Sequence, residues 1–169
     1  MDILEFAMQM ELDGKAFYEK GAEAAKSPEL KKILQTLAEE EQRHYNIFKQ
    51  LKAGEVNAAS KFADNRADTV TITRNLFREM ADAGQDTLYG DEARAMWNEA
   101  MEVERKSEKM YREAAEKESD EQCRELWNRI ADEENNHIYF IDNMISFLAD
   151  PQSFVQSAQF RNFMSWEGH

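Results

Sequence analysis

One polar pattern occurs twice in this 169-residue chain, at an offset of 93 residues. In the first half, Glu11 and Glu41 interrupt apolar residues that recur every three or four positions. The offset carries these glutamates onto Glu104 and Glu134, which interrupt similar apolar stripes in the second half. Such a stripe is one face of an amphipathic helix, so each glutamate is predicted to point into a helical core. Buried carboxylates are costly unless other groups compensate their charge, so the fold must bring such groups together.

Two histidines and two tyrosines obey the same repeat. His44 and His137 each follow a stripe glutamate by three residues. Tyr18 and Tyr111 each follow the first stripe glutamate of their half by seven residues. Residues three apart lie on one face of a helix, so each histidine can reach the same point as its glutamate.

The periodicity and the capping signals predict an all-α fold. Ser27 and Pro28 are a typical helix start, Gly54 is a typical residue after a helix end, and Asp91 and Asp120 are typical caps. Residues 55–68 show no sustained periodicity and are predicted to be a connection. Four long helices are predicted over about residues 2–25, 28–53, 92–117 and 121–149, with a shorter helix over about 70–83 that Gly84 closes.

Short turns within each half and a long connection between the halves predict two antiparallel hairpins. This connectivity, with one long crossover, is that of the ferritin-like four-helix bundle. We expect one bundle domain over residues 1–149 and a C-terminal aromatic tail over 150–169 that forms a short packed helix. Within the bundle, the predicted hairpins cover about residues 2–53 and 92–149, and the crossover with its short extra helix covers 54–91.

Six donors are therefore predicted to meet in the bundle core, and they suit two metal ions. Four ionised glutamates balance two divalent cations, while a site without metal would need raised pKa values or admitted water. Mixed carboxylate and imidazole ligands suit iron or manganese better than structural zinc or calcium. The predicted metal ligands are Glu11, Glu41, His44, Glu104, Glu134 and His137. The expected cofactor is two iron ions, with manganese or a mixed pair as alternatives.

Simpler interpretations exist for each of these residues. A core histidine is more often a packing residue than a ligand, and a metal-free bundle with mutually bonded polar side chains is the alternative to a metal site. For Tyr18 and Tyr111 the functional interpretation is a hydroxyl that donates to a ligand carboxylate of the opposite hairpin or to bound oxygen. The alternative is an ordinary core tyrosine. The shared offset favours the functional interpretation of all eight residues.

Composition excludes several other functions. A formal net charge of -13 disfavours nucleic-acid binding. The longest apolar runs are too short to cross a membrane. The single cysteine, Cys123, cannot form an intramolecular disulfide, and the first residues lack the features of a signal peptide, so a cytoplasmic location is expected.

The Glu-x-x-His segments at 37–48 and 130–141, and the first helix at 6–22, resemble the rubrerythrin family of the ferritin-like superfamily. The resemblance covers about residues 1–148. It implies a non-haem dimetal centre bridged by Glu41 and Glu134, and chemistry with peroxide, dioxygen or ferrous iron. Rubrerythrins usually add a rubredoxin-like domain with four cysteines, which this chain lacks, so it resembles a stand-alone bundle. They also place an additional carboxylate one turn after the third-helix ligand, where this chain has Ser107 followed by Glu108.

Three functions follow from these residues and this resemblance. The first is a redox-active peroxide reductase of the rubrerythrin type, supplied with electrons by a separate donor protein. The second is a ferroxidase or iron-handling protein, in which the same centre oxidises ferrous iron with dioxygen. The third is a non-enzymatic helical module held together by its metal. A homodimer is the expected assembly, because the aromatic tail and the crossover offer apolar surface.

Overall fold

The helices predicted from the stripes form the framework of the fold. A computed structural model describes residues 1–65, 68–83 and 91–168, and the regular structure within these ranges is entirely α-helical, which confirms the predicted all-α class. The helices of the described ranges are α1 (Ile3–Ala24), α2 (Pro28–Lys52), α3 (Val56–Asp64), α4 (Thr69–Ala83), α5 (Asp91–Lys117), α6 (Glu121–Ala149), α7 (Pro151–Val155) and α8 (Ala158–Met164).

Three of the long helices begin at side chains that cap them. Asp2 accepts from the backbone N–H of Glu5 at 2.8 Å, and the Glu5 carboxylate accepts from the backbone of Asp2 in return. Ser27 caps α2 in the predicted way, and so does Asp120 at α6. Such caps satisfy N–H groups that a helix leaves without partners, which fixes where each helix starts. The fourth long helix begins at Asp91 itself, one residue earlier than predicted.

Helices α1 and α2 form one hairpin, and α5 and α6 form the other. Residues 25–27 connect the first pair and residues 118–120 connect the second, so both pairs run antiparallel. Helix α1 contacts α5, and α2 contacts α6, which closes the four helices into a bundle.

A layer of polar side chains divides the bundle core into two apolar clusters. Along α2, Leu37 belongs to one cluster and Phe48 to the other. Glu41 and His44 lie between them along the helix and are as buried as their apolar neighbours. The stripe therefore continues through the polar layer, as the sequence predicts.

The crossover is more regular than predicted. Residues 56–64 form α3, although the sequence analysis assigned them to an irregular connection. Ala59 and Ala63, four residues apart, are buried where α3 packs on α2 and α6. Two alanines are a weak sequence signal, and packing against the bundle supplies most of the stability of a helix this short. Helix α4 begins at Thr69, close to the prediction, while its predicted closing residue, Gly84, lies outside the described residues.

The C-terminal tail forms two short helices, α7 and α8, instead of the single helix predicted. Both helices pack on α6, and an aromatic cluster joins them to the crossover. Its centre is Phe77 of α4, whose ring centroid lies within 6.5 Å of those of Phe140, Phe147, Phe154, Phe160 and Phe163. Among the described helices, none combines the length and apolarity that crossing a membrane requires.

Replacing Phe77 with alanine should destabilise the protein strongly. The ring is fully buried among five others, so its loss removes buried apolar area and leaves a cavity, at a cost of about 3–5 kcal/mol. Ile72→Ala on the same helix is the matched control, because Ile72 is 37% exposed and its truncation should cost less than about 1 kcal/mol. Chemical denaturation of both variants checks this, and equal losses of stability would contradict the central place of Phe77.

Candidate metal centre

The six predicted ligands lie together in the polar layer of the bundle. Each is at most 5% exposed. Helix α1 supplies Glu11, α5 supplies Glu104, and α2 and α6 each supply a glutamate with the histidine one turn later. The structure thus brings every one of the predicted donors to one interior, and their role as ligands remains a prediction that binding must test.

The donors form two overlapping groups, and in each group the candidate ligand atoms lie within 4.8 Å of one another. One group consists of Glu11, Glu41, His44 and Glu134. The other consists of Glu41, Glu104, Glu134 and His137. Two carboxylates, from Glu41 and Glu134, belong to both groups. Carboxylates shared in this way are suited to bridge two ions that share one cavity.

Distances around Glu134 show the same arrangement. Its Oε1 lies 3.0 Å from Nδ1 of His44, and its Oε2 lies 3.3 Å from Nδ1 of His137. Each histidine also faces the glutamate of a more distant helix: Nδ1 of His44 lies 3.3 Å from Glu11, and Nδ1 of His137 lies 3.4 Å from Glu104. Glu134 therefore presents one oxygen to each half of the site.

Hydrogen bonding within the protein leaves several of these atoms unsatisfied. Buried polar atoms normally have partners, and each exception needs an explanation. The buried side-chain atoms of the candidate ligands that lack a hydrogen-bond partner are Oε2 of Glu11, Oε1 of Glu41, Nδ1 of His44, both carboxylate oxygens of Glu134 and Nδ1 of His137. Cations among them would use these lone pairs, so the residues present fit a pair of metal ions.

Without metal, protons on the candidate ligands offset part of the negative charge of the four glutamates. Burial, together with the carboxylate of Glu104, raises the pKa of Glu134 to about 8. Burial and the carboxylate of Glu134 raise the pKa of Glu41 well above its ordinary value of 4.5. Burial alone would lower the pKa of His137, but the carboxylate of Glu104 raises it to about 10. Without metal, the site therefore holds several protons at neutral pH.

The two tyrosines join the hairpins through the ligand carboxylates. The hydroxyl of Tyr18 on α1 donates to Oε1 of Glu104 on α5. The hydroxyl of Tyr111 on α5 donates to Oε1 of Glu11 on α1. Both tyrosines are thus placed as the functional interpretation of the repeat predicts, donating across the two halves. Burial and the neighbouring carboxylates raise the pKa of each hydroxyl well above its ordinary value of 10.0, so both keep their protons.

A glycine makes room for one shared carboxylate. A Cβ atom at Gly14 would lie 2.7 Å from Oε2 of Glu41, closer than real Cβ contacts. Gly14 occupies the stripe of α1 and is buried within the helix. Glycine lowers helix stability by about 1 kcal/mol relative to alanine, so its use here is explained by the space that Glu41 needs.

Glu40 and Glu133 each precede a ligand glutamate by one residue, and this helical spacing turns them away from it and predicts that they face solvent; that prediction is wrong. Glu40 is 5% exposed and Glu133 is 2% exposed. Arg43 donates to both, at 2.9 Å to Glu40 and also to Glu133, while Thr69 Oγ1 donates to Glu40 at 2.8 Å. Burial would raise the pKa of Glu40, but the guanidinium of Arg43 holds it below its usual value. The available signal was the repeat itself, because the 93-residue offset maps Glu40 onto Glu133.

Glu133 also supports one of the candidate ligands. Its Oε2 lies 2.8 Å from Nε2 of His44. A carboxylate oxygen accepts there, so Nε2 of His44 carries a proton and Nδ1 is the nitrogen that faces the candidate metal positions. This contact orients the ring and sets its tautomer.

The position of the missing additional carboxylate is occupied by a small side chain. Ser107 is buried on α5, three residues after Glu104. Glu108 accepts from Arg112 at 2.9 Å, and Arg112 also bonds Asp132 outside the six-donor groups. The described side chains therefore supply no seventh carboxylate to these groups.

The comparisons with known proteins agree with this geometry. The family model described as Rubrerythrin matches residues 2–145. The match includes all six candidate ligands and both tyrosines, and it ends before the aromatic tail. It supports the ferritin-like fold predicted from the long crossover. No curated protein and no solved structure matched the chain.

Metal loading should release protons. The pKa values of about 8 for Glu134 and about 10 for His137 mean that both hold protons at pH 7 in the metal-free protein, and bound cations must displace them. We therefore expect net proton release on adding Co²⁺ or Fe²⁺ at pH 7, with less release at pH 9 because Glu134 has then ionised. Calorimetric titration in buffers of different ionisation enthalpy measures this, and binding without proton release would contradict these pKa shifts.

Gly14→Ala should weaken metal binding without removing a ligand. The new methyl group would displace the carboxylate of Glu41, and we expect metal affinity to fall by roughly 10-fold or more, as for loss of a supporting residue. Gly21→Ala on the same helix is the control, because its Cβ would meet the side chains of Met96 and Leu34 instead. Competition with a chromogenic chelator measures both affinities. Equal affinity in the two variants would show that Gly14 does not make room for a ligand.

Proposed function

The chain belongs to the rubrerythrin family, and from this premise we propose that it is a di-iron protein that reduces hydrogen peroxide. The observation that supports the proposal most strongly is the pair of overlapping donor groups, in which buried oxygen and nitrogen atoms lack partners within the protein. Two ferrous ions, when bound, would supply two electrons that, with two protons, convert hydrogen peroxide into two water molecules. A separate electron-donor protein would restore the ferrous state.

The residues that would hold the ions are the six donors of the overlapping groups. Glu11 and His44 belong to one group alone, Glu104 and His137 belong to the other alone, and the remaining two glutamates are shared. Their burial excludes bulk water from the site, which strengthens every electrostatic interaction within it. The four ligand carboxylates would balance the charge of two ferrous ions.

Each tyrosine hydroxyl holds a proton at a fixed position in this site. Tyr18 holds its proton on Oη and donates to Glu104, while Tyr111 does the same for Glu11. In Glu11 this bond engages Oε1 and leaves Oε2, which has no hydrogen-bond partner, to face a cation. Each tyrosine hydroxyl lies one hydrogen bond from a candidate ligand, and the catalytic role we propose for both residues is to supply protons to oxygen atoms that reach the centre.

Loss of one ligand should abolish the activity. We expect Glu41→Ala and His137→Ala each to reduce metal-dependent peroxide consumption by more than the roughly 10- to 100-fold that loss of a supporting residue costs. Glu39→Ala is the matched control, because Glu39 neighbours the site residues on α2 but is exposed. The measurement is anaerobic turnover of hydrogen peroxide with a reduced rubredoxin as electron donor, with circular dichroism to confirm that the helices are retained.

Two outcomes would contradict the proposal. One is peroxide turnover no faster than that of free ferrous iron. The other is catalysed oxidation of ferrous iron by dioxygen without peroxide reduction, which would establish the ferroxidase alternative instead.

A further inference from the structure

Trp166 lies in the wall of two cavities that border opposite faces of α6. An inner cavity of about 10 Å³ is bounded by Trp166 together with Glu40, Thr69, Glu133 and His137. An outer groove of about 350 Å³ is bounded by the same tryptophan. Its other walls include Arg105, Asn135, Tyr139 and Asp142. Because the indole bounds both spaces, it can act as a partition between the roomy surface groove and the smaller cavity.

The inner cavity reaches the edge of the candidate metal centre. His137, one of its walls, is a candidate ligand, and Glu133, another wall, contacts the ring of His44 at 2.8 Å. The volume suits about one water molecule, and carboxylate and hydroxyl groups around it offer the polar partners that such a molecule needs. The centre itself offers no open route, because its six donors are at most 5% exposed. A small molecule in this cavity lies against His137, a candidate ligand.

Contacts of the tail hold Trp166 in this position. Its ring packs edge-on against Tyr139 of α6 with centroids 4.6 Å apart, and it stacks with Phe163 of α8 at 5.9 Å. Arg74 of α4 donates to the carbonyl oxygen of Trp166. The crossover helix, the last long helix and the tail therefore all meet at this one residue.

Gly168, two residues after Trp166, fixes the end of the tail. Gly168 has a φ of +84°, and a Cβ atom there would lie 2.8 Å from Cγ2 of Val70. Val70 is another wall of the inner cavity. Both the backbone conformation and the available space therefore favour glycine at this position.

We propose that Trp166 selects by size which oxidants reach the metal centre. The inference rests on the proposed peroxide reduction, and it assigns a role to a tail that lies beyond the family match at residues 2–145. Hydrogen peroxide and dioxygen, each with two heavy atoms, need only small displacements of the inner walls. An alkyl hydroperoxide fits the outer groove but not the inner cavity, so its reduction to an alcohol and water, with the same two electrons and two protons, is prevented by the indole.

The test compares Trp166→Ala with Trp166→Phe. Truncation to alanine joins the groove to the inner cavity, so the rate with tert-butyl hydroperoxide relative to hydrogen peroxide should rise roughly ten-fold or more, while the phenylalanine variant keeps the partition and stays near the wild-type ratio. A second measurement does not depend on turnover. Extraction of Co²⁺ from the loaded protein by 2,2′-bipyridine should be faster in Trp166→Ala by a similar factor.

Phe160→Ala is the matched control, because Phe160 belongs to the same tail and packs on Phe77 and Phe154 without bounding either cavity. Equal increases in this control would indicate general loosening and overturn the proposal, as would unchanged ratios and extraction rates in a folded Trp166→Ala. If Trp166→Ala fails to fold, Arg74→Met decides in its place, with faster bipyridine extraction expected and an unchanged rate contradicting the role of the tail. A wild-type protein that reduces no peroxide, combined with faster extraction from Trp166→Ala, would reject the proposed function and support the access role alone.

Discussion

Burial of four carboxylates and two imidazoles in one layer of a helical bundle is the constraint on which the rest of the structure depends. Charged groups in such a core are stable only when opposite charges and hydrogen bonds compensate the loss of water. In the metal-free protein, protons on Glu41, Glu134 and the histidines provide part of this compensation. Both carboxylate oxygens of Glu134 and Nδ1 of each histidine still lack hydrogen-bond partners. Two divalent cations would satisfy both the charge and the orphaned lone pairs. The apolar clusters on either side of this layer stabilise the bundle.

The two halves of the chain repeat each other at the ligands and differ just outside them. The 93-residue offset places Asn136 where the first half has Arg43. Arg43 donates to both Glu40 and Glu133. Of these two carboxylates, Glu133 also contacts Nε2 of His44. The two candidate metal positions therefore have similar ligands but different surroundings. Trp166 adds a further difference, because the inner cavity it bounds adjoins the His137 side of the centre.

Spacing along the chain was sufficient to predict the bundle, the meeting of its six candidate donors and the crossed contacts of the tyrosines, because helical geometry converts intervals of three, four and seven residues directly into one face. It could not predict features that depend on contacts between distant segments. Helix α3 forms where two alanines pack on the bundle, and Glu133 is buried because an arginine 90 positions away pairs with it. The cavity walls at Trp166 combine residues from the crossover, α6 and the tail, which no local pattern brings together.

Anomalous X-ray diffraction from crystals loaded with Mn²⁺ or Fe²⁺ tests the central claim most directly. We predict two anomalous peaks per chain within the polar layer, one in each overlapping donor group, with Glu41 and Glu134 in contact with both. A polar layer without anomalous peaks, in which these glutamates and histidines bond only to one another, would contradict the account.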